Sequence, residues 1–325
     1  MRTTRRTSGS WLSSPPPGAA VEITAARVTA VAMADHGSAR VVSSYASEVL
    51  PAGVVEPGLN APNVHDRAAL AAVIRSALQH LGHRSRRVAM VLPDSVAKVS
   101  LIRFEKVPQS TQDLDQLIRW QVRKAAPFRI EDAQVAWQPG VAIAGGGREY
   151  LVTVARRDIV ESYERACEAA GTHAGIVDLA SFNQINAVLA SGGSAGDWLL
   201  VHVAADYATL AVVRGGDIVS FRNRGGASEQ ELVELVHQTA MYHEDRLGGG
   251  GFAHVVLAGA SVIGAAEADR LRRVLEERVG VSVETLDFRG AVALRDRIAA
   301  GPELLDALAP SLGVLLRERA PQRVA

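Results

Sequence analysis

Two distant stretches of the sequence spell the same order of elements, and that duplication constrains the fold more than any other feature. The first opens AVEITAARVTAVAM, two short strands around a turn, and continues with a third strand in ARVVSSYASEVL. It then enters a helix over roughly Asp66 to Leu81. Leu70, Val73, Ile74, Ala77, Leu78 and Leu81 recur there at the spacing of an amphipathic helix, with Asp66 able to cap its start and Gly82 its end. The second stretch opens LLVHVAADYATLAVV, adds a strand in DIVSFRN and starts a helix at Ser228, where Glu231 completes a capping box. Each gains a further strand and helix later: GIVDLASFNQINAVLA for the first, HVVLAGAS and EADRLRRVLEERVG for the second. A meander followed by a helix, twice over, implies a duplicated α/β half. The linker 192–197, GGSAGD, separates the two.

The first half is interrupted. Residues 86–171 read as a small α+β module: strands in RVAMVLP and KVSLIRFEKV, a helix, strands in AQVAWQPGVAI and YLVTVAR, and a second helix. Ser110 or Thr111 caps the first helix, Leu114, Leu117, Ile118, Gln121 and Ala125 share a face, and Pro127 ends it. Asp158 caps the second, which carries Val160, Tyr163 and Cys167 on one side and stops at Gly171. The glycines at 145–147 form a hairpin tip. Trp120 and Val122 fall off the apolar stripe, and Phe128 follows the proline; these positions fit either a helix buried on two sides or a groove for an extended or helical peptide. The expected organisation is a basic tail over 1–19, a first half over 20–85 and 172–195, the module over 86–171, and a second half over 196–320.

The rest of the sequence excludes more than it offers. Formal charge sums to zero, and the basic corner of Arg75, His83, Arg84, Arg86 and Arg87 lacks interleaved aromatics, so nucleic acid is not an expected partner. Arg2, Arg5 and Arg6 lie in a leader without an apolar core, read as a disordered tail rather than a signal sequence. No apolar run approaches the roughly 18 residues of a membrane span. The one cysteine, Cys167, sits among apolar neighbours and reads as a packed thiol in a reducing compartment. His237 and His243 are six apart on one helix, out of ligand spacing, and read as surface or partly buried residues. No phosphate-loop, nucleophile-elbow or dinucleotide motif occurs, and the glycines at 248–251 read as a loop.

Several segments in order then point to a family. PAGVVEPGLNAPNVHDRAALAAVIRSALQHLG, VLPDSVAKVSLIRFEKVP, LDQLIRWQVRKAAPFRIEDAQVAW and YLVTVARRDIVESYERACEAAGTHAGIVDLASFNQINAVLA resemble the PilM family, as does the closing SLGVLLRER. The resemblance spans about residues 20 to 318. It is most specific at the helix running into Pro127-Phe128 and around Ala170, Gly171 and Asp178. It implies an α/β actin-like fold, two ribonuclease-H-like halves across a cleft, with an inserted module and a shortened second half. It also implies ATP in the cleft. The module and first half would grip the N-terminal cytoplasmic peptide of PilN, an inner-membrane protein. PilO and the pilus motor ATPases would be further associates, placing the chain at the cytoplasmic face of the inner membrane, with self-association left open.

The departures from that family fall on the phosphate turns. Where the family reads IDIGSSSVKVV, this sequence reads VEITAARVTAV: Glu22 keeps an acid, Thr24 replaces the turn glycine ahead of Ala25, and Thr29 replaces the lysine. In the second turn His202 replaces an aspartate and Ala204 a glycine, with Asp206 two residues on; Gly259-Ala260 replaces a pair of glycines. Side chains at such turns crowd the approach of a phosphate, and a histidine serves Mg²⁺ poorly. At about 1–3 kcal/mol each, these losses move ATP affinity by several decades. The expectation is a non-catalytic scaffold with no cofactor. The alternatives are an ATP switch using Glu22 and Asp206 with Mg²⁺, or a GspL-like component of type II secretion. The latter continues into a membrane helix that this sequence does not show up to Ala325.

Overall fold

In the computed structural model, which describes residues 17–36, 39–82, 86–143, 145–192, 196–226, 228–295 and 301–317, each duplicated stretch builds one sheet. In chain order the elements are β1 (Ala19–Ile23), β2 (Arg27–His36), β3 (Ala39–Val49), α1 (Arg67–His80), β4 (Arg87–Leu92), β5 (Ala97–Phe104), α2 (Thr111–Arg123), β6 (Ala133–Ile143), β7 (Gly147–Arg156), α3 (Arg157–Ala169), β8 (His173–Leu179) and α4 (Ala180–Ala190). There follow β9 (Asp197–Val203), β10 (Tyr207–Arg214), β11 (Asp217–Gly225), α5 (Glu229–Leu247), β12 (Val255–Ala258), α6 (Ala265–Val279), β13 (Val283–Thr285), β14 (Ala293–Leu294) and α7 (Pro302–Arg317). The first sheet runs β14-β3-β2-β1-β4-β8 and the second β11-β10-β9-β12-β13. Both consist of an antiparallel meander whose first strand pairs in parallel with the strand that follows a helix. The register repeats as well: Glu22 sits opposite Thr29 in one half, and His202 opposite Thr209 in the other.

Alternation lets each central strand feed two cores. Ala19, Val21 and Ile23 pack with Leu70, Ile74, Tyr163 and Cys167 under α1 and α3, while Ala20 faces Val314 and Leu315 of α7. Leu199, Val201 and Val203 pack under α5 and α6, while Trp198 and Leu200 join Phe288, Leu308 and Leu312. Glu22 and His202 therefore fall on the faces turned toward α7 and the space between the halves. The helix ends follow local chemistry: the Asp66 side chain accepts from the Ala69 amide, and Ser228 and Glu231 form the expected capping box. Cys167 is buried with its Sγ 3.6 Å from Met90 Sδ, and burial pushes its thiol up to about 12, as befits a packed thiol.

Several expectations are corrected. β4 does not belong to the inserted module: it lies in the first sheet between β1 and β8. α3 packs on α1, so the separate module is the sheet β5-β7-β6 with α2. The chain also returns to the first half after α6. β14 pairs with β3, and α7 packs on α4, β1, β2 and β4. β1 already begins at Ala19, inside the expected tail. Arg156, not Asp158, is the N-cap of α3; the Asp158 carboxylate accepts from the next amide instead. On α2 the buried stripe is Leu114, Ile118 and Val122, while Gln121 and Ala125 are exposed. His243 is fully buried, with Nε2 2.6 Å from Asp197 Oδ2. The expected disorder of residues 1–16 and the basic corner at His83 and Arg84 lie outside the described residues.

The contact of α7 with α4 is close because Gly313 has no side chain. A Cβ there would meet the Asn183 carbonyl oxygen at 1.7 Å. Gly313→Ala should destabilise the protein by about 1–3 kcal/mol through overpacking, read as a lower urea midpoint. An unchanged midpoint would show that the two helices have room to part.

Candidate functional site

The two hairpin turns face one cavity between the halves, of about 390 Å³. Seven of the residues singled out from sequence line it: Glu22, Thr24 and Ala25 from the first turn, His202, Ala204 and Asp206 from the second, and Gly259 after β12. Thr29 does not. It is buried, with Oγ1 3.4 Å from Ser47 Oγ and its carbonyl accepting from Ser311.

Four backbone amides at the cavity are already bonded to side chains within the chain. In the first turn, Thr24 Oγ1 accepts from the amides of Ala26 (3.4 Å) and Arg27 (3.1 Å), so the threonine that replaces a glycine closes the turn on itself. After β12, the Asp306 carboxylate of α7 accepts from the amides of Gly259 (2.5 Å) and Ser261 (2.9 Å). Gly259 itself is obligatory. Its φ is 74°, and a Cβ would lie 2.2 Å from the Val203 carbonyl oxygen and 2.6 Å from His202 Cδ2.

Behind the cavity lies a residue that sequence reasoning missed. Asp94 follows β4 and is completely buried. Its carboxylate accepts from the Ser181 amide (3.0 Å), the Ser181 hydroxyl and Thr209 Oγ1 (2.7 Å), and lies 3.4 Å from His202 Nδ1. The Ser181 oxygen is also 2.9 Å from His202 Nδ1. Because its one proton goes to Asp94, the histidine must donate, which places a proton on Nδ1. Thr209 in turn accepts from Asn223 (2.8 Å). The network joins the turn after β4 and α4 to β9, β10 and β11, and so ties one half to the other. Burial alone would raise the Asp94 carboxyl. The hydrogen bond and charge of His202, with the two Ser181 donors, outweigh it and hold the group below its ordinary value.

Glu22 has the opposite balance. Burial pushes its carboxyl up to about 7, against the attraction of Arg27 and His202 and with further repulsion from Asp306 and Asp94. Asp206 is also raised, by burial first. An acid after a buried parallel strand, in VLPDS, was the available signal for Asp94. The signal is masked in the sequence because the strand before it reads as part of the inserted module, whereas it lies in the first sheet. Nothing local marks Asp306.

The peptide-binding residues do not converge. Trp120 is 57% exposed on the outer face of α2 with Lys124 Nζ 5.0 Å from its ring centre. Val122 is in the module core, and Phe128 is half-buried against it. A different groove, of about 200 Å³, runs between the first sheet and the module. It is lined by apolar groups including Val96, Trp137, Leu151, Val177 and Phe182, and at its rim Arg317 pairs with Asp178. Its walls are β8 and β6, each the outer strand of its sheet.

The model of the type IV pilus assembly protein PilM family matches residues 20–246. Among solved structures, the chain is similar to the PilM–PilN type IV pilus biogenesis complex, with 20% identity, a TM-score of 0.77, and coverage of 94% of this chain and 99% of that one. A Bacteroides thetaiotaomicron protein of actin-like ATPase fold and unknown function aligns at 10% identity and a TM-score of 0.49, over 90% and 95% of the two chains. The cytoplasmic domain of EpsL, an inner-membrane component of the type II secretion system of Vibrio cholerae, aligns at 10% identity and 0.48, over 90% and 94%. No curated protein matches.

Proposed function

The chain belongs to the type IV pilus assembly protein PilM family, and from that premise we propose that it is a non-catalytic scaffold of a pilus assembly platform. It holds the N-terminal cytoplasmic peptide of a PilN-like inner-membrane protein without turning over ATP. The observation that carries this reading is the state of the cleft. Thr24 and Asp306 occupy four of its amides, Thr29 supplies no counter-charge, and Glu22, Asp206 and Asp306 face any incoming phosphate. A triphosphate would meet net repulsion in a confined site of low dielectric. The contrary reading, an ATP switch, draws on Glu22 and Asp206 lining the same cavity from the two halves.

The groove between β8 and β6 supports the peptide role. Two outer strands offer unpaired backbone edges, to which an extended segment can add while its side chains enter the apolar floor. No helix among the described residues is long and apolar enough to cross a membrane.

A fluorescent peptide copying the N-terminus of the PilN-like partner should bind saturably at micromolar protein. Ala136 is exposed and lines the groove, so Ala136→Arg fills it without touching a core. That change should weaken binding at least about tenfold, or ~1.4 kcal/mol, while Trp120→Ala leaves it unchanged. No saturable anisotropy change would sink the peptide role. Micromolar binding of Mg-ATP by calorimetry would overturn the nucleotide-free reading and favour the switch.

A further inference from the structure

We propose that the cleft between the halves is a binding site for a small organic cation, a ligand bearing an amine or guanidinium group. This rests on the reading that the cleft has given up nucleotide, and it says what the cavity takes instead. Its lining carries three carboxylates, Glu22, Asp206 and Asp306, against one permanent cation, Arg27. The remaining basic group, His202, is committed to Ser181 and Asp94 behind the wall.

A second, independent observation points to a missing hydrogen-bond donor. Gln184 lines the cavity, is 1% exposed, and its Oε1 has no partner; Ser261 Oγ, on the opposite half, is buried and equally unpartnered. Buried acceptors without donors are costly and rare in native proteins, and they mark where a ligand completes the set. A phosphate brings acceptors, to which the Ser261 hydroxyl can donate but which leave Gln184 Oε1 unpaired. An ammonium brings three donors and a guanidinium five, with the charge that Glu22 and Asp206 lack. A metal ion fits less well, because no group of three His, Cys, Asp or Glu residues among those described is arranged to hold one. A volume of about 390 Å³ lies in the range of small-ligand pockets. Glu22 is pushed up to about 7 chiefly by burial, with Asp306 and Asp94 adding repulsion that Arg27 and His202 do not fully offset.

The chemistry could come from a free amine or from an arginine side chain of a partner, and calorimetric titration separates them. Agmatine and spermidine represent the first source, a blocked Gly-Arg-Gly peptide the second. At least one should bind saturably below about 1 mM. Glu22 is faced by Arg27 of β2, His202 of β9, Tyr207 of β10, Asp94 after β4 and Asp306 of α7. Asp94 and Asp306 already accept from donors of the protein, so affinity should rise about tenfold between about pH 6 and pH 8 as the Glu22 carboxylate ionises. Glu22→Gln should weaken binding at least tenfold and flatten that pH dependence, while Trp120→Ala leaves both intact. Absence of saturable binding to about 10 mM, or equal affinity in Glu22→Gln, overturns the cation site. Binding of Mg-ATP in a parallel titration would overturn the nucleotide-free reading on separate grounds.

Discussion

Replacing Asp94 by alanine should cost about 3–5 kcal/mol of stability, the range for removing one partner from a buried charged network. The carboxylate is fully enclosed and accepts from the Ser181 amide, the Ser181 hydroxyl and Thr209, with His202 beside it. Alanine leaves those donors facing one another in a dry interior, each carrying its full desolvation penalty. Asparagine should restore little, because an amide offers one acceptor oxygen and brings two more donors. The sign with pH follows from the depressed folded value. The contribution is fully present above the ordinary 3.8 and is lost as pH falls through the lower folded value. Urea midpoints of wild type and Asp94→Ala should therefore differ most at neutral pH and converge in strong acid. A difference under about 1 kcal/mol at neutral pH would show that the network does not hold the halves together.

Glu22→Gln should act in the opposite direction. The folded carboxyl titrates near 7 against an ordinary 4.5, so between those values the folded state holds a proton that the unfolded state has released. Stability therefore falls as pH rises through this window and levels off above it. The burden at alkaline pH is about 3 kcal/mol, and a glutamine, which never ionises, does not carry it. Relative to wild type, Glu22→Gln should gain about 2–3 kcal/mol between about pH 5 and pH 8 in paired denaturation curves. Parallel pH profiles for the two proteins would mean that the carboxylate is charged at neutral pH and that the cleft compensates it. The same substitution is the one expected to weaken cation binding at least about tenfold, so stability and affinity should move in opposite directions. That trade is common where a site holds uncompensated charge for a ligand.

Much of the architecture could be read from local pattern. The stripe Leu70, Ile74, Ala77 and Leu78 on α1, the capping box of Ser228 and Glu231, and both hairpins at Glu22 and His202 appear where spacing put them. The approach of the two turns to one cavity was what the family resemblance implied. Val122 shows where this fails: four residues after Ile118 it continues a slanted stripe into the module core, while Gln121 and Ala125 face solvent. A helix pattern tells which residues share a face but not which sheet will cover it.

The sequence by itself determined most of the elements, the repeat and, through its resemblance to the family, the absence of glycine and lysine from the two hairpin turns. These depend on spacing and on the shape of single residues, which act within a few positions along the chain. Only the tertiary structure decided that β4 belongs to the first sheet and that α7 returns from the second half to cover it. It also decided that Asp94 and Asp306 fill with carboxylates what the turns left open. Asp306 meets the amides of Gly259 and Ser261, and Asp94 meets Thr209, across separations along the chain that carry no local signal. What a buried carboxylate does is fixed by the donors that packing brings to it, and no pattern of neighbours in the sequence contains them.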